Sequence, residues 1–266
     1  MDIRVVDLSA TSGTSDLHRA GTLSKLAAFT CILAAVVVQQ NALIIAALLL
    51  ALASLAIDSR LPLRVVLGLA AYPGIFAALF ALAAAPGLLG GALFVLKAMT
   101  AALAAVILVF TTPYPQIFAV VQRLTPEIVG DSLLMTYRSL FLLAEKFDRL
   151  RMSVRLRSGL STGHPVRAAQ ATAGALGGLV LYALDLSQRE YDVLRLRGYQ
   201  GRLRLTLARS GNAGFDAALV AGAAIVLAVA TGFRIAGPAL TPYSWLPAAA
   251  AMLTLLAVTI GRMIAR

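Results

Sequence analysis

The chain has 266 residues, 60% of them hydrophobic and 13% charged, a balance that a single water-soluble globular domain rarely shows. The apolar residues must therefore face lipid. A formal net charge of +11 would suggest a nucleic-acid partner in a soluble chain, so the positions of the basic residues have to be settled before any partner is named.

In chain order, residues 1–25 form a polar tail carrying Arg4, Arg19 and Lys25, without the charged start and cleavage site of a secretory signal. Insertion is expected to rely on the spans themselves. A hydrocarbon core of about 30 Å needs about 20 apolar residues per helix. Residues 26–38 make a short first span, thin or tilted, and Gln39-Gln40-Asn41 separates it from a second at 42–57. Two more follow at 65–85 and 91–111, split by Ala85-Pro86-Gly87, and a last pair lies at 215–233 and 244–260. Cys31 is alone in an apolar run and has no internal disulfide partner, so it is lipid-facing or packed. Lys97 is the one basic residue inside a predicted span, about two turns from its outer end, and is expected to snorkel to the interface.

The loops at 39–41 and 85–90 carry no charge, whereas Arg60 and Arg64 follow the second span and Arg262 and Arg266 close the chain. Six spans at 26–111 and 213–266, with both termini in the cytoplasm, satisfy the positive-inside rule everywhere except at the loop after Arg234. The expected location is the inner (plasma) membrane.

Residues 112–212 differ in character, with basic residues from Arg123 to Arg209 outnumbering the acids Glu127, Asp131, Glu145, Asp148, Asp185, Glu190 and Asp192. Thr125-Pro126-Glu127 predicts a helix start, with an N-cap, a proline at the first position and an early acid. Leu140, Leu143, Phe147, Leu150 and Val154 recur at three- and four-residue spacing as one apolar stripe, with Glu145 and Arg149 paired on another face. Gly159, Gly163 and Pro165 are expected to end this helix. A second helix is expected at about 166–197, stopped by Gly198 and Gly201. Its first half could pass for a seventh span. An odd count would put the C-terminal arginines outside, so the stretch is expected to lie along the inner membrane face instead.

Arg155-Leu156-Arg157-Ser158 and Arg195-Leu196-Arg197-Gly198 repeat one pattern at the ends of both predicted helices. Cations at a helix C-terminus compensate its dipole by about 0.3–1 kcal/mol, and that plus positive-inside bias is one reading of the repeat. The other is that two exposed guanidinium groups, each beside a small residue, enter grooves of an acidic partner and make bidentate contacts.

At these residues the sequence resembles the transmembrane T components of energy-coupling factor importers of vitamins and metals, most closely their cobalt and nickel branch. The likeness runs through LHRAGTLSKL (residues 17–26), TTPYPQIFAVVQRLTPEIV (111–129), LLMTYRSLFLLAEKFDRLRMSVRLRSG (133–159) and YALDLSQREYDVLRLRGYQG (182–201), in the family's order. It implies an all-α polytopic membrane protein with about six transmembrane helices plus long cytoplasmic coupling helices. The family carries two Ala-Arg-Gly motifs whose arginines engage a pair of cytoplasmic ABC ATPase subunits. Arg157 and Arg197 match those arginines, with Arg155 and Arg195 beside them. Leu156 and Leu196 replace the alanines, Ser158 replaces the first glycine and Gly198 keeps the second. The resemblance further implies a membrane-embedded substrate-binding subunit, with Leu140 and Phe147 on its platform, and cobalt or nickel as cargo. The alternatives are a T component for a vitamin or other micronutrient, or a membrane-anchored basic adaptor unrelated to transport.

Other classes lack their residues. No Gly-x-x-x-x-Gly-Lys-Ser/Thr pattern is present, so ATP hydrolysis is expected in partner chains, and the chain itself is read as non-catalytic with no cofactor. His18 and His164 are far apart, with no Cys or acidic cluster to complete a metal site, and both are expected to be solvated loop residues. The arginines of 112–212 are interleaved with acids, which suits a protein partner better than a nucleic-acid backbone.

Overall fold

The computed structural model describes residues 10–11, 13, 15–84, 87–156, 165–201, 203, 213–236 and 245–264. No strand occurs among them. The chain is an all-α polytopic membrane protein. It divides into two compact units, Met1–Ile117 with Leu207–Arg266, and Phe118–Thr206.

The first unit contains one helical turn, α1 (Asp16–Arg19), capped by Ser15. Six long apolar helices follow: α2 (Thr22–Val38), α3 (Ala42–Asp58), α4 (Leu63–Ala84), α5 (Leu88–Thr111) and, after the second unit, α9 (Ala213–Ala236) and α10 (Trp245–Ile264). They lie where the six spans are expected. The polar separator after α2 is a turn because its side chains supply the missing backbone partners. Gln39 Oε1 accepts from the amides of Gln40 and Asn41, and Asn41 Oδ1 accepts from Leu43 N at 3.0 Å as the cap of α3. At 17 residues, α2 and α3 are each about 25 Å long, short of a full hydrocarbon core. The thinness expected of the first span extends to the second.

Helix α5 is central, packing against α4, α3 and α2, while α9 lies on α2 and α10 on α3. Leu52, Ala56, Val66, Leu103, Ile107 and Phe110 form the buried core, and Ala35, Val36, Leu48 and Ala230 form a second cluster. Tyr72, Ile75, Phe76, Leu79 and Phe80 stand exposed on α4, as an outward face toward lipid requires.

The second unit holds the end of α6 (Tyr114–Leu124) together with α7 (Glu127–Leu156) and α8 (Pro165–Leu196). Helix α6 was not expected. Its presence changes the role of Thr125, whose hydroxyl donates back to the Val121 carbonyl at 2.8 Å and so closes α6 instead of capping α7. The start of α7 at Glu127 agrees with the sequence. Its last described residue is Leu156, and Gly159 and Gly163 lie outside the described residues. Pro165 opens α8 instead of terminating α7, since a proline at the first helical position gives up an amide that has no intrahelical partner there.

Helices α7 and α8 run antiparallel, as three contacts establish. Asp131 meets Tyr199 at 2.7 Å, Arg138 meets Glu190 at 3.5 Å, and the Lys146 ammonium lies 4.8 Å from the centre of the Tyr182 ring. The partner number falls as the α7 number rises. Among the described residues four helices, α4, α5, α8 and α9, are long and apolar enough to cross a membrane by length and composition. The case against a seventh span at α8 therefore rests on charge distribution alone.

Candidate functional site

The C-terminus of α8 is built as a tip. Gly198 has φ +79°, the left-handed region where a Cβ is costly, and it lets the chain reverse directly after Arg197. Its amide donates to the Arg195 carbonyl at 3.0 Å, and that of Tyr199 to the Leu194 carbonyl at 3.0 Å. These are the two bonds of a Schellman closure, with Arg197 as the C-cap. Arg195 and Arg197 are exposed, and Leu196 between them is 88% exposed.

At the other helix end Arg155 is exposed and Leu156 is 78% exposed, while Arg157 and Ser158 lie outside the described residues. The described ion pairs, Arg138–Glu190, Arg149–Glu145 and Arg189–Asp185, involve neither Arg155, Arg195 nor Arg197. The antiparallel register puts the two tips at opposite ends of the pair. From the Lys146–Tyr182 contact, α7 continues to Arg155 while α8 continues the other way to Arg197, roughly 35 Å in all at about 1.5 Å per residue.

The expected stripe on α7 is split. Leu143, Leu150 and Val154 are half-buried, whereas Leu140 and Phe147 are 40% and 44% exposed. The two residues expected to form a platform are thus accessible within the second unit. Among the described residues no group of three His, Cys, Asp or Glu side chains converges as metal ligands would.

A sequence profile of CbiQ, the cobalt transport protein family, matches residues 13–207. The chain belongs to the CbiQ cobalt transport protein family. An uncharacterized protein of Methanocaldococcus jannaschii is 26% identical over 100 residues, which are 37% of this chain and 36% of that protein. The chain thus matches about a third of the length of that curated relative. The CbiQ match takes in both Arg-Leu-Arg copies and the segment that opens α2.

That opening segment corrects two expectations for this CbiQ-family chain. Lys25 is no tail residue: it is 4% exposed, and its Nζ donates to the carbonyls of His18 at 3.1 Å and Thr111 at 2.9 Å. His18 is not a solvated loop residue. Its Nε2 donates to the Phe110 carbonyl at 3.2 Å and its Nδ1 lies 2.6 Å from Ser15 Oγ, because the C-terminal carbonyls of α5 need donors that the helix cannot supply. His164 lies outside the described residues. Nearby, the Gly21 amide donates to Asp216 Oδ1 at 2.8 Å, fastening the same segment to the start of α9. Lys97 donates to the Val37 carbonyl at 3.2 Å, so it caps the end of α2.

Sequence reasoning also missed a knot in the second unit. Asp131 is buried in the first turns of α7 and accepts hydrogen bonds from Tyr199, Leu203 and Gln122. The available signal was an acid near a helix N-terminus, which the helix dipole alone explains, so nothing in the sequence singled it out.

Proposed function

We propose that this CbiQ-family chain is the non-catalytic transmembrane scaffold of an energy-coupling factor ABC importer. In that role Arg157 and Arg197, flanked by Arg155 and Arg195, enter grooves of two cytoplasmic ABC ATPase subunits. Closure of the ATPases on ATP moves the tips, and α7 and α8 pass that motion to a membrane-embedded substrate-binding subunit that meets Leu140 and Phe147. Cobalt or nickel is the cargo, selected by that partner. Both termini and the second unit face the cytoplasm of the inner membrane, in keeping with the lysine and arginine distribution.

The observation that supports this reading most is the Arg197 tip: an exposed guanidinium outside every described ion pair, on a helix end reversed by Gly198. Removing one member of a buried, hydrogen-bonded charge pair costs about 2–5 kcal/mol. The double variant Arg157→Ala with Arg197→Ala is therefore expected to lose co-purifying ATPases and cobalt or nickel uptake while still inserting. Arg197→Lys should restore little, lacking the planar fork, and Arg204→Ala should be mild. ATPase recovery at wild-type level in the double variant would sink the reading. Topology is tested separately by replacing Cys31 and labelling single cysteines at Gln40 and Ser161. Only the first is expected to react from outside.

A further inference from the structure

An exposed arginine on a helix tip makes a defined contact only if the backbone beneath it is held. Immediately beyond Arg197 the chain is held by one carboxylate. Tyr199 Oη donates to Asp131 Oδ2 at 2.7 Å, and the Leu203 amide donates to both oxygens at 3.1 Å. Gln122 Nε2 donates to Oδ1 at 2.9 Å and also to the Leu203 carbonyl at 2.9 Å. Asp131 is 5% exposed and Gln122 8% exposed, and these described partners of the carboxylate are all neutral.

We propose that Asp131 is a positioning residue whose buried carboxylate clamps Tyr199 and Leu203 and thereby fixes the Gly198 turn that presents Arg197. The proposal rests on the docking reading of Arg197 given above. A helix C-cap is ordinarily anchored on one side, by its own helix. Here the residues on both sides of Arg197 are anchored: Arg195 and Leu194 within α8, and Tyr199 and Leu203 to the start of α7.

A carboxylate matches this set of donors. Both oxygens accept: Oδ1 takes the Leu203 amide and the Gln122 side-chain amide, and Oδ2 takes the Tyr199 hydroxyl and the same backbone amide. An asparagine would lose the charge, and its NH2 group, in place of one oxygen, would oppose the Leu203 amide and require either the Tyr199 hydroxyl or the Gln122 side-chain amide to reverse its role. The approach is prepared as well: a Cβ at Gly130 would lie 2.5 Å from Gln122 Cγ, so only glycine there lets Gln122 pass close enough to reach the carboxylate. Hydrogen bonds to an ionised group are the stronger kind, and burial makes each costly to lose.

The test uses the full chain, purified with whatever ABC ATPase subunits accompany the wild type from its own membranes. Two quantities are read in Asp131→Asn, Tyr199→Phe and Arg197→Ala: amide hydrogen exchange over residues 199–203, and ATPase recovered per molecule of chain. Asp131→Asn should speed exchange of the Leu203 amide by about tenfold or more and lower ATPase recovery by a similar factor. Tyr199→Phe should show both effects to a smaller degree. A merely structural role would reduce the amount of chain in the membrane without changing ATPase per chain. The proposal is overturned if Arg197→Ala lowers ATPase recovery while the other two variants leave it at wild type, whatever their exchange rates. Unchanged recovery in Arg197→Ala itself would remove the docking reading, and the clamp's purpose with it. If Asp131→Asn does not insert, Tyr199→Phe decides, since it loses one hydroxyl and keeps the ring.

Discussion

Among the described residues each unit buries one charged side chain, Lys25 in the first and Asp131 in the second, and the two are held in different ways. Lys25 is 4% exposed and its described hydrogen bonds go to backbone carbonyls, those of His18 and Thr111. Asp131 is 5% exposed and is held by two side chains, Tyr199 and Gln122, and one amide. A cation bound to carbonyls answers to the course of the backbone and is indifferent to which side chains stand there. An anion bound by side chains can be loosened one hydrogen bond at a time. The first arrangement suits a bundle meant to stay fixed, and the second suits a loop whose stiffness can be set by its sequence.

The largest effect is expected from cutting the first knot. Lys25→Met leaves two buried carbonyls without their donor, at about 1–3 kcal/mol for each. Its thermal stability in detergent, followed as monodisperse protein surviving a heat step, should drop well below wild type. Thr111→Val, which keeps the carbonyl and removes only the hydroxyl that bonds Ile107 and Leu108, should fall by less than about 1.5 kcal/mol. An equal loss in the two variants would mean that the backbone carbonyl is not what holds Lys25.

A smaller effect is expected from Gly130→Ala. The added methyl would meet the Gln122 side chain at 2.5 Å and its Cα at 3.1 Å, an overpacking worth about 1–3 kcal/mol. Because Gln122 rather than Asp131 is displaced, Leu203 should lose its carbonyl partner, and the chain near it should become protease-sensitive before the bundle loses stability. Loss of the bundle first would erase the distinction between the two knots.

The six apolar helices were legible because apolar runs of span length, separated by polar or proline-containing breaks, admit few other readings. The start of α7 and the stop of α8 were legible for the same reason, since Pro126-Glu127 and Gly198 act through local backbone chemistry. Helix α6 was not, because eleven residues beginning at Tyr114-Pro115 read as a link between a span and a helix start. Pro165 was misread because a proline after two glycines looks like a stop, whereas its position at the head of an apolar run makes it a start. Lys25 was assigned by sign alone, and neither its burial nor the pairing of His18 with a carbonyl 92 residues away is a local property. Asp131 lay further out of reach, since its partners come from two segments remote from each other, α6 and the stretch after α8. The antiparallel register of α7 and α8 was equally hidden, for it depends on pairings across the hairpin.

Along that register the described polar contacts between α7 and α8 grow weaker away from Arg197. Near Arg197 the helices are pinned through a buried carboxylate, whereas further along they share an ion pair at 3.5 Å with Arg138 61% exposed and one lysine over a tyrosine ring. Such exposed contacts are worth about 0–1 kcal/mol each. The pair is therefore shaped like tongs with the rivet at one extremity. A given torque turns the Arg197 end as a rigid handle and is taken up by bending and spreading toward Arg155, so two partners pulling alike on the two tips would not be felt alike by the helices between them.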